Sequence, residues 1–307
     1  MNNTTHTFQP RLVALEGREV PSATATVLGN KLAIQADNAG SVISITDDGL
    51  GHVSASVTSA GGTVSTKGSN VTQIAVTGGE GNDRVYFALA GTLKTALKMD
   101  MDLGAGNDHA SMDFYRGISN SAVNVNVRAG VGNDSVESIY GTMTDAAVSY
   151  KASLGTGNDA SSVTLFNGLS GNSKATFDVA GDTGADRVDF NVMGKIDAAA
   201  ALKLHAENST DANDRVTIRY RGELDGTLTA NVDKAASWYG VQSKFTLDAA
   251  STGSLTAVVR DATGAYGSTL TVTDHTAGPV ASDIDRLDHY LSEMTGTNVT
   301  HFDPSAI

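Results

Sequence analysis

From about residue 25 onward, apolar and polar positions alternate along most of the chain. Leu97, Met99, Met101 and Leu103 form one such run, and Val123, Val125 and Val127 another. Shorter runs such as Val85 and Phe87, or Val163 and Leu165, follow at regular intervals. A period of two predicts β-strands that bury one face and expose the other. Between residues 25 and 77 the runs are Leu32-Ala33-Ile34, Val42-Ile43-Ser44-Ile45 and Val53-Ser54-Ala55-Ser56-Val57. Turn signals separate them at Asp37-Asn38-Ala39-Gly40, Asp47-Asp48-Gly49 and Gly61-Gly62, so this region reads as antiparallel strands that begin and cap the strands downstream. Two segments break the alternation. Residues 282–294 place Ile284, Leu287, Leu291 and Met294 at helical spacing, with Ser282 as N-cap and Gly296 as stop. Residues 11–19 read as a short amphipathic helix carrying Leu12 and Leu15.

A turn sequence punctuates the strands. Gly79-Glu80-Gly81-Asn82-Asp83 recurs as Gly104-Ala105-Gly106-Asn107-Asp108, Gly130-Val131-Gly132-Asn133-Asp134 and Gly155-Thr156-Gly157-Asn158-Asp159. Their aspartates fall 25, 26 and 25 residues apart. A second marker, the lone glycines Gly91, Gly117, Gly141, Gly168, Gly194 and Gly222, keeps nearly the same beat. Weakened copies end at Asp186 and Asp214, followed by strand signatures Arg187-Val188-Asp189-Phe190 and Arg215-Val216-Thr217-Ile218. Repetition at this period means one supersecondary unit is stacked on itself. The expected fold is all-β: a parallel, β-roll-like solenoid with coils of about 25 residues, a β-strand N-terminal cap and a short C-terminal helix. The divisions are 1–24 (N-terminal motif), 25–77 (cap), 78–222 (repeats), 223–278 (degenerate coils or a β cap) and 279–307 (helix and tail).

Composition agrees with thin, strand-built layers. Charged residues make up 18%, aromatics 6%, and glycine alone counts 33. Few large side chains are present for a thick core, while Thr and Val suit a pleated surface. The net charge of −13 argues against a nucleic-acid partner and suits cation binding. Cysteine is absent, which excludes disulfides and thiolate zinc sites. No apolar run has the length of a membrane-spanning helix, and residues 1–10 lack the basic and apolar regions of a secretory signal peptide.

The turn is the main chemical candidate. Stacked at strand spacing, such turns bring one carboxylate per coil, with turn carbonyls, to one side. Calcium takes six to eight such oxygens. Gly78-Gly79-Glu80-Gly81-Asn82-Asp83-Arg84-Val85-Tyr86 resembles the calcium-binding nonapeptide of the repeats-in-toxin, or haemolysin-type, family. The other three turns match except at the first position, held by Leu103, Ala129 and Leu154. The resemblance implies that Asp83, Asp108, Asp134 and Asp159 bind calcium between coils. Gly79, Gly81, Gly104, Gly106, Gly130, Gly132, Gly155 and Gly157 would form the turns, and Asp186 and Asp214 would be weaker sites. This chain departs from the family in having one such turn per coil instead of two. The alternative is a metal-free turn in which stacked Asn side chains form hydrogen-bonded ladders.

Leu15-Glu16-Gly17-Arg18 followed by Pro21-Ser22 resembles a short N-terminal motif of exported or surface-associated planctomycete proteins, which implies an extracellular or cell-surface location. The seven histidines form no His-x-x-x-His or similar pair, and no nucleophile elbow or phosphate loop is present. Trp238 and Tyr239 are candidates for stacking on a ligand, or pack in an end cap. Arg84, Arg187 and Arg215 are candidates for an exposed stripe, or for ion pairs between coils. The expected function is a non-enzymatic, exported, calcium-binding structural or adhesive protein, partnered by a surface polysaccharide or protein. The alternatives are a β-helix polysaccharide lyase or glycoside hydrolase, and a metal-free protein-interaction module.

Overall fold

The computed structural model describes residues 23–208, 214–234, 242–248, 251–261, 269–274 and 298–302. Five strands open the described residues: β1 (Thr24–Leu28), β2 (Lys31–Gln35), β3 (Val42–Asp47), β4 (Val53–Ser59) and β5 (Gly62–Gly68). Paired strands then repeat: β6 (Gln73–Gly79) and β7 (Arg84–Leu89), then β8 (Leu97–Gly104) and β9 (His109–Phe114), the latter followed by the two-residue β10 (Ile118–Ser119). The next coils hold β11 (Ala122–Val131), β12 (Ser135–Tyr140) and β13 (Met143–Thr144), then β14 (Ala147–Thr156), β15 (Ala160–Leu165) and β16 (Leu169–Ser170). Further on come β17 (Lys174–Ala180), β18 (Arg187–Met193), β19 (Ala201–Asn208), β20 (Arg215–Gly222), β21 (Thr227–Lys234) and β22 (Gln242–Leu247). The last are β23 (Ser254–Asp261), β24 (Thr269–Asp274) and β25 (Asn298–Phe302).

All described elements are strands, and the solenoid expected from the repeats is what they build. One ten-stranded sheet runs β1-β2-β6-β8-β11-β14-β17-β19-β21-β23, and a twelve-stranded sheet runs from β25 and β24 back through β9 and β7 to β3, β4 and β5. From β2 and β3 onward every coil-to-coil pairing is parallel. Among the described strands the antiparallel pairs are confined to the N-terminal end, where β1 folds back on β2 and β3, β4 and β5 form a meander. That meander turns at Asp48-Gly49, where the sequence predicts a hairpin. Stacking also continues past Gly222: β21 pairs with β23, β22 with β24 and β24 with β25, all parallel. The predicted helices at 11–19 and 282–294 lie outside the described residues.

A third sheet, β10-β13-β16, lines the corner after each lone glycine. Isolated bridges extend its column to Leu93, Ile196 and Leu224. Each coil thus places one buried apolar residue at this corner: Leu93, Ile118, Met143, Leu169, Ile196 and Leu224. The inward positions of the two large sheets form similar columns along the axis. Rings stack inside, with Phe114 5.2 Å from Tyr140 and nearly parallel to it, and Phe177 5.0 Å from Tyr140 edge-on. Ser138 and Ser161 sit in inward columns otherwise held by Met112, Val163, Val136 and Val188. These small side chains leave room for the bulky Tyr140 and Tyr150 rings beside them, and the four hydroxyls are buried without a hydrogen-bond partner.

Candidate functional site

The Gly-x-Gly-Asn-Asp turns lie at the corner between the two large sheets, where β6 passes to β7, β8 to β9, β11 to β12 and β14 to β15. Gly79 and Gly104 share a register position, as do Gly130 and Gly155, so the first glycines of successive turns lie in one column. The second glycines, Gly81, Gly106, Gly132 and Gly157, form another. Gly132 and Gly157 have φ of +140° and +144°, and a Cβ on either would overlap the carbonyl of the glycine one coil back. Only glycine both adopts that backbone and admits so close a neighbour. The first turn is built differently. Gly79 and Gly81 lack a positive φ, although this turn carries the fullest match to the nonapeptide.

Asn and Asp in each turn make two ladders running in opposite directions. The side-chain carbonyls of Asn82, Asn107 and Asn133 accept the backbone N–H of Asn107, Asn133 and Asn158 one coil ahead, each at 2.7 Å. Asn158 does the same for Ala185 at 2.9 Å. Each aspartate reaches back instead. Oδ1 of Asp108, Asp134 and Asp159 accepts the N–H of Asp83, Asp108 and Asp134 at 2.7 Å. Asp186 and Asp214 continue the row onto Asp159 and Asp186 at 2.9 Å, so this corner keeps its geometry where the glycine pattern fades. The asparagines face solvent, whereas the aspartates are at most 2% exposed.

The buried row leaves a charge problem. Oδ2 of Asp108, Asp134, Asp159 and Asp186 is buried without a hydrogen-bond partner. Asp83 differs: its Oδ1 accepts Ser41 N–H at 2.6 Å and its Oδ2 accepts Gly79 N–H at 3.0 Å. Burial pushes the carboxyls of all five up. Asp108 and Asp159 rise to about 6 and Asp186 to about 7, with neighbouring aspartates adding to the effect and backbone N–H groups opposing it. Hard oxygen donors with an unsatisfied lone pair suit a proton or a hard cation. Among the described residues no group of three or more His, Cys, Asp or Glu converges as a metal cluster, so a cation here would take one or two carboxylates and complete its shell with backbone carbonyls or water.

Arg84, His109, Ser135, Ala160, Arg187 and Arg215 occupy successive register positions, so Arg84 stands several coils away from the other two arginines. Arg187 pairs with Asp189 on its own strand. Trp238 and Tyr239 lie outside the described residues. One grouping escaped the sequence reading. His205 on β19 sits between Asp178 and Asp233 from the coils on either side, at 2.8 and 3.2 Å. Burial lowers its pKa, the two carboxylates raise it, and the net direction is up. The signal was a spacing of one coil, with Asp178 and His205 27 residues apart. Comparison with protein-family models finds no match, and comparison with curated proteins and with solved structures finds none either.

Proposed function

We propose that this chain is a non-enzymatic, exported structural or adhesive surface module whose aspartate column binds calcium. The observation that carries the reading is the row of buried, unpartnered Oδ2 atoms at Asp108, Asp134, Asp159 and Asp186. Ionised together they repel one another inside a water-poor corner, and a cation held by the native state alone stabilises that state. In this reading Asp108, Asp134 and Asp159 hold calcium, with Asp186 extending the row. Asp83 is the weakest member because backbone donors already satisfy both of its oxygens. Calcium is plentiful outside cells, so the same coupling would tie full stability to export.

The depressions lined by described residues bear on the glycosidase alternative. Open depressions of 490, 400 and 510 Å³ lie over the sheet faces. None brings together the two carboxylates that glycoside hydrolysis requires.

A second reading rests on the same atoms. The raised pKa values make protons the competitor of calcium, and a protonated column would be a metal-free solenoid. Thermal unfolding near pH 7.5 in EDTA, in millimolar calcium and in millimolar magnesium separates the two. A calcium-specific rise in Tm that is reduced in Asp108→Ala/Asp134→Ala is the expected result. No rise, or an undiminished rise in the double variant, sinks the calcium reading.

A further inference from the structure

The outer face of the twelve-stranded sheet carries a second feature at its C-terminal strand ends, remote from the aspartate column. Tyr115, Gly141, Phe166, Met193 and Arg221 follow one another from coil to coil where this sheet meets the lone-glycine corner. Gly141 lies directly over Tyr115, Phe166 follows Gly141 through its hydrogen bond to Tyr140, and Met193 is in register with Arg221. Tyr115, Phe166 and Met193 are 51%, 39% and 37% exposed. With no side chain on Gly141 between them, Tyr115 and Phe166 meet edge to face at 5.6 Å across two coils. The result is an apolar ridge made of three of the nine large hydrophobic residues that are exposed among the described residues.

The ridge runs into a cationic end. Arg219 and Lys244 are register partners on adjacent strands, and Arg219 and Arg221 share one face of β20. All three are exposed. Among the described residues no carboxylate lies within ion-pair distance of any of them, and Arg219 touches only the amide oxygen of Asn191, at 3.4 Å. The three cations therefore lie together on neighbouring strands without an ion pair among the described residues, with Glu223 and Asp248 at the turn beyond them. The column from Tyr115 to Arg221 spans roughly 19 Å at the strand spacing.

We infer that this strip binds an extended anionic polysaccharide along the solenoid axis. Sugar rings would lay their apolar C–H faces on Tyr115 and Phe166, and carboxylate or sulfate groups would be held by Arg219, Arg221 and Lys244. Aromatic side chains offer large, rigid contact area, and a guanidinium matches a planar anion in a two-point geometry. This inference rests on the surface-module reading and names its ligand class.

Affinity gel electrophoresis tests it, with polygalacturonate as the carboxylate probe, dextran sulfate as the sulfate probe, and neutral dextran and single-stranded DNA as controls. Gels are run with and without millimolar calcium, on proteins whose fold is verified by circular dichroism in the same buffers. Retention by one or both acidic glycans is expected, and the probe that retains identifies the acid group. Arg219→Gln/Arg221→Gln and Tyr115→Ser/Phe166→Ser should each weaken retention roughly tenfold or more. Lys98→Gln/Lys151→Gln, on the opposite sheet, should leave it unchanged. Retention by neither glycan, equal retention of the strip variants, or equal retention by DNA overturns the assignment. Surface labelling of intact source cells reports the export reading separately: labelled cells without glycan retention would remove the strip and leave the module.

Discussion

Each coil turns at two contrasting corners. At the corner after the lone glycine, the buried residue is apolar: Leu93, Ile118, Met143, Leu169, Ile196 or Leu224. At the other, it is an aspartate whose Oδ1 holds the N–H of the coil before it. Both stack without gaps, yet they respond to different variables. The apolar corner depends on packing and is indifferent to pH. The aspartate corner gains directional hydrogen bonds but carries orphaned oxygens whose cost depends on protons and cations. At both corners like residues stack in a column, and the kind of residue decides which solution condition the column senses.

The largest effect should come from forcing a side chain into the polar corner. Gly157→Val puts a branched residue at a φ of +144° and against the Gly132 carbonyl. A loss of about 4 kcal/mol in urea unfolding is expected, and a loss under about 1 kcal/mol would show that the turn relaxes freely. At the apolar corner, Leu169→Ala should cost about 3 kcal/mol through the cavity it leaves, with a cost that does not change between pH 4 and pH 7.5. If that cost varied with pH as the aspartate corner does, the contrast would collapse.

The pH response itself comes next. Unfolded aspartate titrates near its ordinary value of 3.8, whereas Asp108, Asp159 and Asp186 hold their protons to about 6 to 7. Between those values the folded chain binds more protons than the unfolded one, so stability falls as pH rises. In EDTA, Tm should drop by about 5 °C from pH 4 to pH 7.5, and Asp159→Asn should flatten that slope. A Tm that rises over this interval would overturn the protonated-column account. Asn133→Ala is the smallest test. It removes one exposed acceptor and should cost about 1 kcal/mol at either pH. A much larger loss would mean that the asparagine ladder, and not the buried aspartates, holds the turns in register.

Much of this was legible in advance because the repeat writes the same instruction several times. Alternation at Leu97, Met99, Met101 and Leu103 marked a strand, and the Gly-Asn-Asp beat marked its stacking. The prospect of asparagine ladders was also readable, since side chains one period apart must neighbour one another in a solenoid. The two-residue strands at Ile118, Met143 and Leu169 were missed, because a single apolar residue after a glycine has no period of its own within a coil. The His205 sandwich and the Tyr115–Phe166 ridge join residues one or two coils apart, and they become visible only when the register is known.

The sequence alone determined the class of fold: strand periodicity, glycine-permitted turns and a constant repeat length leave stacking as the way to bury every apolar face. The tertiary structure decided which way each turn residue points. Neighbouring in the chain, Asn and Asp lie on opposite sides of the wall, one forward in water and one backward in the core. No local propensity distinguishes them at that position. The direction is set by the N–H that each must satisfy on a different coil, and that partner exists only once the coils have stacked.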